Sequence, residues 1–344
     1  MLSGCASGTA VKTEPKRYST VFYDVFDTVT TVIAYCDSEE DFTKQTDALH
    51  EDLLRYNDLY DIYHNYEGIA NIKTINDNAG IAPVAVDPEI IAMLKEAVAV
   101  YDTTNGKTNV AMGAVLRLWH DSREAAETDP DHAALPDADA LSSAAQHCDI
   151  SKLIIDEAAG TVYLSDPDMS LDVGSCGKGY ACEQVAKAAE ARGLTSALIS
   201  VGGNLRAIGT KPGDAPWTGG VENPWTAVSG AVSDGGYLSA INLAHNYAMV
   251  TSGDYQRYYT VDGVRYHHLI DPDTLYPANY YNGITVLCPD SGMADCLSTG
   301  LFCMSLEDGM ALVESLDGVE AYWCMTDGKT TAQSSGWAAM ERQS

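Results

Sequence analysis

The sequence is poor in positive charge. It contains 20 lysine and arginine residues against 49 aspartate and glutamate residues, which gives a formal net charge of −29. Because affinity for nucleic acid comes largely from cationic side chains, this balance argues against a nucleic-acid-binding protein. A chain this acidic can bind a phosphate-rich small molecule only where the repulsion is offset locally. A metal ion, backbone N–H groups at a helix start or a well-placed lysine would do so.

The chain also lacks long apolar runs and paired cysteine motifs. We find no stretch of eighteen or more apolar residues, so we predict no membrane-spanning helix. The nine cysteines form no Cys-x-x-Cys pair and show no zinc spacing, and several lie in apolar runs, as small core residues do. A disulfide-dependent scaffold is therefore not indicated. With 344 residues and 46% hydrophobic content, the chain can bury a large core.

The N-terminal residues Leu2-Ser3-Gly4-Cys5 have the form of a bacterial lipoprotein box, in which the cysteine is acylated. The charged and apolar parts of a signal peptide are absent before it. We expect residues 1–17 to be a lipoprotein leader and linker, and residues 18–344 to form the functional domain. Lipidated Cys5 would anchor the protein to the extracytoplasmic face of the cell membrane. The alternative is an unstructured leader with an accidental cysteine.

The periodicity of the remaining sequence predicts an α+β protein with largely antiparallel sheets and packed helices. Residues 18–35 indicate paired strands, and residues 153–164 indicate a hairpin around Ala159-Gly160. A helix beginning at Ser38 would bury Phe42, Leu49, Leu53, Tyr56 and Tyr60, and one beginning at Asp87-Pro88 would bury Ile91, Leu94, Val98 and Tyr101. Residues 122–139 are acidic, contain two prolines and suggest a surface loop. Further helices are expected at 178–192 and 306–316, and further strands at 197–201, 236–242, 245–250, 255–261, 283–288 and 319–325.

Asp295 and Thr299 form the first chemical pair. Residues four apart on a helix share a face, so a carboxylate and a hydroxyl would point into the same space. Such hard oxygen donors suit a hard divalent cation. The apolar run after Thr299 would bury the helix and leave only its first turn free for a ligand. An aspartate in a first turn is also a common cap or dipole partner, so the pair alone leaves both roles open.

The segment from Leu171 to Ala181 contains three glycines before a helix. Glycines let the backbone approach a ligand closely, and the helix start favours phosphate. Lys178 would add one positive charge there. The segment matches neither a P-loop nor the dinucleotide fingerprint, because Gly179 follows the Gly-Lys pair and Cys182 stands at the third glycine position. A tight strand-to-helix turn without a ligand is the alternative.

His268 is the candidate proton acceptor, since it lies in a strand that is closed by Asp271-Pro272. A histidine here can serve as a general base, with Asp271 or a neighbour orienting the ring. His267, one residue earlier in a strand, would face the opposite side. The alternative is a buried, hydrogen-bonded histidine with no chemical role.

Taken in order, these motifs resemble the ApbE family of FAD:protein FMN transferases. The resemblance covers nearly the whole chain after the leader. The motifs that carry it are Asp172-x-Gly-x-x-Gly-Lys-Gly-Tyr-Ala, Ser200-Val-Gly-Gly-Asn-Leu-Arg-Ala-Ile-Gly, Thr251-Ser-Gly-Asp-Tyr, His268-Leu-Ile-Asp-Pro and Ala294-Asp295-x-x-x-Thr299. Members are typically bacterial lipoproteins or exported proteins with an α+β fold related to the T-fold, which agrees with the leader and the strand pattern.

The resemblance implies an activity and a role for individual residues. The activity is Mg²⁺-dependent transfer of FMN from FAD to a Ser or Thr hydroxyl of an acceptor protein, with release of AMP. His268 would take the proton of the hydroxyl. The metal would be held by Asp295 and Thr299 with the backbone carbonyls of Ser175 and Ser298. FAD would be contacted by Phe26, Tyr63, Lys107, Thr108, Asn109, Asp172, Lys178 and Ile270.

Some positions depart from the family pattern, mainly around the flavin and adenine. Leu275 replaces the glycine that commonly ends the Asp-Pro-x-Thr motif, and Lys107-Thr108-Asn109 and Phe26-Asp27-Thr28 differ from the frequent sets. Two other functions therefore stay open. One is a metal-dependent FAD pyrophosphatase that uses water in place of a protein hydroxyl. The other is a non-enzymatic lipoprotein that binds FAD and releases no AMP.

Overall fold

Strands and helices cover most of the chain in the computed structural model, which describes residues 14–227, 236–243 and 245–342. The strands are β1 (Lys16–Val25), β2 (Thr28–Cys36), β3 (Val84–Ala85), β4 (Leu153–Asp156), β5 (Thr161–Leu164), β6 (Ser196–Val201), β7 (Asn204–Gly209), β8 (Trp217–Glu222), β9 (Tyr237–Leu243), β10 (Ala248–Gly253), β11 (Tyr258–Val261), β12 (Val264–His267), β13 (Tyr281–Cys288), β14 (Glu320–Met325) and β15 (Thr331–Gln333). The helices are α1 (Glu39–Tyr60), α2 (Ile72–Asp77), α3 (Pro88–Thr103), α4 (Gly113–Thr128), α5 (Ala138–Ala145), α6 (Gly177–Ala191), α7 (Pro224–Ala227), α8 (Ser291–Phe302), α9 (Leu306–Glu314) and α10 (Trp337–Met340).

The largest sheet has eight strands in the order β1-β2-β6-β7-β10-β13-β14-β15. All of its neighbouring strands pair antiparallel. Three smaller sheets consist of β3-β5-β4, β8-β9 and β11-β12. The predicted α+β class with largely antiparallel sheet is thus confirmed.

Alternation along the central strands buries both faces of the large sheet. On β14, Ala321 and Trp323 belong to the main core, whereas Tyr322 and Cys324 belong to a second cluster on the opposite face. Helices α1, α6 and α8 pack against the first face, and β8, β9 and α10 lie against the second. Because side chains point alternately to opposite faces of a strand, a sheet covered on both sides needs apolar residues in continuous runs, which these strands have.

Local signals explain where the first helices begin. Ser38 caps α1 by accepting the N–H of Asp41, and the predicted apolar face of this helix is buried. Asp87 caps α3, with proline as the first helical residue, where its missing N–H costs nothing. The β1–β2 turn has positive φ at both Phe26 and Asp27, as a tight hairpin requires. These predictions, and the hairpin of β4 and β5, are confirmed.

The predicted loop at 122–139 is wrong in its first half. Helix α4 continues to Thr128, and the irregular segment lies between that residue and the start of α5. Contacts one turn apart support the helix, including His120 Nε2 with Glu124 at 3.1 Å and the ion pair of Arg123 with Glu127 at 3.5 Å. Both prolines, at 130 and 136, follow the end of the helix and therefore do not interrupt it.

Several other boundaries shift by a few residues. Strand β1 begins at Lys16, two residues before the expected start of the domain. Strand β10 begins at Ala248, after a turn in which Asn246 has positive φ, and β11 begins at Tyr258. Cys5 lies outside the described residues, so the structure does not test the prediction of a lipid anchor. Within the three described ranges, no helix is both long and apolar enough to cross a membrane.

Candidate functional site

The start of α6 is the first part of the candidate site. Asp172 lies just before it and accepts the N–H of Gly174 at 2.8 Å through Oδ1. Lys178, in the first turn, donates from Nζ to the carbonyl of Gly174 at 3.1 Å. Burial raises the pKa of Asp172, although the Gly174 hydrogen bond and the charges of His120 and Lys178 act in the opposite direction. The sequence segment therefore forms the expected glycine-rich helix start, with one cation and one carboxylate beside it.

Asp295 meets this helix start from α8, and its environment corrects one prediction. The residue lies in the second turn of α8 and is only 5% exposed, so it is not a surface carboxylate of a free first turn. Asp290 occupies the cap position instead, accepting the N–H groups of Gly292 and Met293. Asp295 is buried because the start of α6 packs directly against it.

The contact between α6 and α8 depends on Gly179. Its N–H donates to Oδ2 of Asp295 at 2.8 Å, and Nζ of Lys178 lies 3.7 Å from the same oxygen. A Cβ at Gly179 would overlap the carbonyl oxygen of Ser291 and the Cβ of Asp295. Burial raises the pKa of Asp295, against the charge of Lys178 and the Gly179 hydrogen bond. The buried carboxylate is thus only partly compensated by the protein.

The residues around this carboxylate fit a hard divalent cation. Thr299 is half-buried one turn after Asp295, and its hydroxyl has no hydrogen-bond partner in the part of the chain that the structure describes. Ser175 is half-buried at the start of α6. The hydroxyl of Ser298 is already used, since it bonds to Ser252 Oγ at 2.7 Å and to the Asp295 carbonyl at 2.9 Å. An undercompensated carboxylate beside a free hydroxyl offers the oxygen donors that Mg²⁺ prefers, and any contribution of Ser298 would have to come from its backbone.

His268 follows β12 and is oriented by the backbone, which corrects the expected role of Asp271. Its backbone nitrogen and its ring nitrogen Nδ1 both hydrogen-bond to the carbonyl oxygen of Arg257, at 3.1 and 3.2 Å. Because a carbonyl only accepts, Nδ1 carries the proton and Nε2 keeps its lone pair. The ring is partly exposed, yet burial by surrounding atoms, with the charges of His267 and Arg257, lowers its pKa to about 3. Such a ring stays neutral and can accept a proton at Nε2.

His267 differs from its neighbour in exposure and in hydrogen bonding. It is buried, its Nε2 donates to the carbonyl of Ala278 at 2.7 Å, and its Nδ1 accepts the N–H of Leu269 at 3.2 Å. Burial lowers its pKa as well. Both ring nitrogens are therefore engaged by the backbone, so His267 has no lone pair to offer to a substrate.

Tyr63 and His120 form an aromatic pair near the start of α6. Their ring centroids are 5.1 Å apart, and the hydroxyl of Tyr63 lies 3.5 Å from Nδ1 of His120. Half of the Tyr63 side chain is exposed. Burial of the other half, followed by the nearby charge of Asp172, raises the pKa of Tyr63 to about 12. A flat, neutral, half-exposed ring beside the start of α6 suits stacking with an aromatic ligand.

The side chains of Lys107, Thr108 and Asn109 are all engaged in bonds to other residues of the protein. Nζ of Lys107 lies 2.8 Å from both Asp271 and Asp273; burial lowers its pKa, but these carboxylates outweigh that effect and raise it. Thr108 is fully buried and donates to the carbonyl of Cys296 at 2.7 Å. Asn109 accepts the N–H of Ala111 and donates to the carbonyl of Cys148. The side chains of this segment therefore brace α8 and the chain around it.

Two further predicted FAD contacts differ in burial. Ile270 is buried in an apolar cluster around Trp119. Phe26 is partly buried at the β1–β2 turn, where its N–H donates to Oδ1 of Asn57 at 2.8 Å. The structure thus brings together Asp172, Lys178, Asp295 and Thr299, and it places the Ile270 side chain in the core.

Sequence reasoning did not select three groups of the site. Asn204, in the quoted Gly-Gly-Asn motif, lies close enough to the buried Asp295 carboxylate to oppose the rise of its pKa, and its own Nδ2 is buried without a hydrogen-bond partner among the described residues. His120 on α4 and Arg257 before β11 carry charges that act on Asp172. The Gly-Gly-Asn motif was a usable signal for the first. Nothing in the local sequence indicated the other two, since their proximity to Asp172 arises only from tertiary packing.

Fold and site together define an antiparallel α+β protein whose functional centre combines a glycine-rich helix start with a buried carboxylate. A model of the ApbE family matches residues 26–323. An FAD:protein FMN transferase of Treponema pallidum is 33% identical over 275 residues, covering 76% of this chain and 72% of that protein. One of Vibrio cholerae is 30% identical over 259 residues, covering 75% and 73%. The crystal structure of the ApbE protein of Thermotoga maritima has a TM-score of 0.81 at 27% identity, covering 95% of this chain and all of that one.

The family match spans most of the chain, and the relatives agree with it along most of their own length. The chain belongs to the ApbE family. The resemblance that the motifs carried is thereby confirmed, as is the fold class.

Proposed function

We propose that this protein is an FAD:protein FMN transferase, which moves FMN from FAD to a serine or threonine hydroxyl of an acceptor protein and releases AMP. The relatives in Treponema pallidum and Vibrio cholerae bear the name of this activity. The observation that carries the proposal is the meeting of two helix starts, where the buried Asp295 carboxylate contacts the N–H of Gly179 beside Lys178.

Different residues would bind the diphosphate of FAD, a ring of FAD and the metal ion. The start of α6 and Lys178 face the diphosphate of FAD, because backbone N–H groups and the helix dipole favour anions. Tyr63 provides an aromatic surface for a ring of FAD. Asp295 and the Thr299 hydroxyl would hold Mg²⁺, and the backbone carbonyls of Ser175 and Ser298 are the further ligands that the family resemblance implies. A cation bound there would stabilise the negative charge that develops on the leaving phosphate.

His268 accepts the proton of the incoming hydroxyl at Nε2. The hydroxyl oxygen then forms a bond to the phosphorus of the FMN half, while the bond from that phosphorus to the bridging oxygen breaks. AMP leaves with the bridging oxygen. The lowered pKa of His268 keeps its lone pair available, and the Arg257 carbonyl fixes the proton on Nδ1. This is general base catalysis by a positioned neutral imidazole.

The experiment that tests the proposal is incubation with FAD and Mg²⁺, with and without an acceptor peptide. AMP is measured by chromatography, and flavin bound covalently to the peptide is measured by in-gel fluorescence. Transfer predicts one flavinylated peptide for each AMP released. Release of AMP and free FMN in equal amounts, regardless of acceptor, would identify a pyrophosphatase. Tight FAD binding without AMP over hours would identify a storage protein and refute the proposal.

We also propose that lipidated Cys5 anchors the protein at the extracytoplasmic face of the membrane. The support is the lipoprotein-box form of residues 2–5. One acyl chain binds only weakly, so stable anchoring requires a diacylated cysteine. When the protein is expressed behind a complete signal peptide, it should sediment with membranes, and Cys5→Ser should move it to the soluble exported fraction. Unchanged sedimentation of the variant would contradict the anchor.

A further inference from the structure

Basic side chains are scarce in this protein, and many of those described are neutralised by a neighbouring carboxylate. Lys107 contacts two aspartates, Arg206 and Glu183 form a buried pair at 2.7 Å, and Arg265 lies 2.7 Å from Asp254. In a chain with a net charge of −29, a basic side chain without a carboxylate partner is available to bind an external anion. Arg257 is such a residue, at the edge of the candidate site.

Arg257 is fixed next to His268 by its own backbone. Its carbonyl accepts both the N–H and the Nδ1 proton of His268. The residue is exposed, and within the described residues its guanidinium makes no ion pair or hydrogen bond. The backbone is therefore positioned by two hydrogen bonds, while the side chain remains free to bind.

The charge of Arg257 acts on three groups that come from separate parts of the chain. It lowers the pKa of His268, opposes the upward shift at Asp172 and does the same at Tyr63. Tyr63 precedes α2, Asp172 precedes α6 and His268 follows β12. The guanidinium therefore lies within electrostatic range of all three groups, and the Arg257 backbone is hydrogen-bonded to one of them, His268.

We propose that the guanidinium of Arg257 binds the diphosphate of FAD, opposite Lys178, and holds it beside Nε2 of His268. This inference rests on the proposed function for the identity of the ligand. Arginine suits the role because its planar fork can bond two phosphate oxygens at once and keeps its charge at any working pH. Asp172 makes such a cation necessary, since a carboxylate beside the helix start repels phosphate.

The test compares ligands with and without phosphates. Binding of ADP and of adenosine is measured by calorimetry in Mg²⁺ for wild type, Arg257→Gln, Arg257→Lys and Arg17→Gln. Arg17 is a matched control, because it is an exposed arginine on β1 without a partner among the described residues. It lies nine residues before Phe26, roughly 30 Å along the strand. Glutamine at position 257 keeps the backbone carbonyl that orients His268, so only the side chain is tested.

We expect Arg257→Gln to weaken ADP binding roughly ten- to a hundredfold, as for loss of charge-assisted hydrogen bonds, and to leave adenosine binding unchanged. Arg257→Lys should recover part of the loss, and Arg17→Gln should match wild type. Unchanged ADP affinity, or an equal loss for both ligands, would overturn the proposal. If Arg257→Gln does not fold, the ratio of ADP to adenosine affinity in Arg257→Lys decides, since it must still fall below that of wild type.

The same variants separate this inference from the proposed function. If wild type binds ADP through Arg257 yet releases no AMP from FAD with any acceptor, the anion site stands and the transferase assignment fails. If wild type flavinylates the acceptor while Arg257→Gln retains full ADP affinity, the assignment stands and the role of Arg257 fails.

Discussion

Replacing Asp295 with asparagine tests the metal site without changing the shape of the side chain. Asparagine can still accept the N–H of Gly179 through its carbonyl oxygen, so the contact between α6 and α8 is kept. What disappears is the negative charge, and with it the proposed principal ligand of a divalent cation. Asp295→Asn should therefore abolish Mg²⁺-dependent AMP release while the protein stays folded.

The expected magnitude follows from binding linkage and burial. At Mg²⁺ concentrations a hundredfold above Kd, binding stabilises the wild-type fold by about 2.7 kcal/mol. For a chain of this size that raises Tm by at most roughly 5 °C. Without Mg²⁺ the sign reverses, because burial raises the pKa of Asp295 in the folded state. The ionised carboxylate then costs stability at neutral pH, and the cost fades as pH falls from that raised pKa towards 3.8, its ordinary value.

The assay is thermal unfolding of both proteins at pH 7, with and without Mg²⁺. Wild type should gain Tm on addition of Mg²⁺, whereas Asp295→Asn should gain none and should be at least as stable as wild type in EDTA. Asp290→Asn is the control, since Asp290 caps the same helix and asparagine is an equally good cap. It should respond to Mg²⁺ as wild type does. An Asp295→Asn protein with the full Mg²⁺ response would refute the metal assignment.

Three variants test the remaining parts of the site, and a fourth tests a buried carboxylate on α3. His268→Ala should lose roughly 10²–10⁴-fold in transfer rate with FAD affinity retained, whereas His267→Ala should change only stability. Because the pKa of His268 is about 3, the wild-type transfer rate should hold down to about pH 5. Loss of half the rate near pH 6.5 would contradict this. Gly179→Ala should weaken Mg²⁺ binding measured by calorimetry, since its Cβ would push α6 away from Ser291; an unchanged Kd would count against the packing argument. Burial raises the pKa of Glu96 on α3 to about 7, so its ionisation costs stability as pH rises from 4.5 through 7. Glu96→Gln should therefore stabilise the fold by about 1–3 kcal/mol at pH 8 and not at pH 4.5 in urea unfolding, and equal effects at both pH values would exclude this cause.

The sequence was most informative where the physical signal is local. The apolar face of α1, the proline at the start of α3 and the hairpin of β4 and β5 follow from periodicity and turn chemistry within a few residues. The chemistry of Asp172, Lys178 and Asp295 could also be named, since each lies in a motif with a distinct composition.

The environment of those side chains could not be predicted, because it arises from contacts between distant segments. Lys107 is paired with carboxylates more than 160 residues later, and Thr108 bonds to a carbonyl 188 residues away. The burial of Asp295 depends on the approach of α6, which no pattern within α8 reveals. The length of α4, in contrast, could have been predicted from its oppositely charged residues at i and i+4. The two prolines lie beyond the end of this helix and do not limit it.

The contact between Gly179 and Asp295 joins residues that are 116 positions apart, so the two residues are synthesised at different times. A ribosome that has just added residue 290 has already produced the glycine-rich helix start, Arg257 and His268, but not the carboxylate that completes the centre. An unfinished chain, or one truncated before α8, therefore lacks the proposed principal cation ligand even if its first half has folded. On the proposed function, competence to split FAD is delayed until α8 has been translated, and fragments that end before α8 should be inactive.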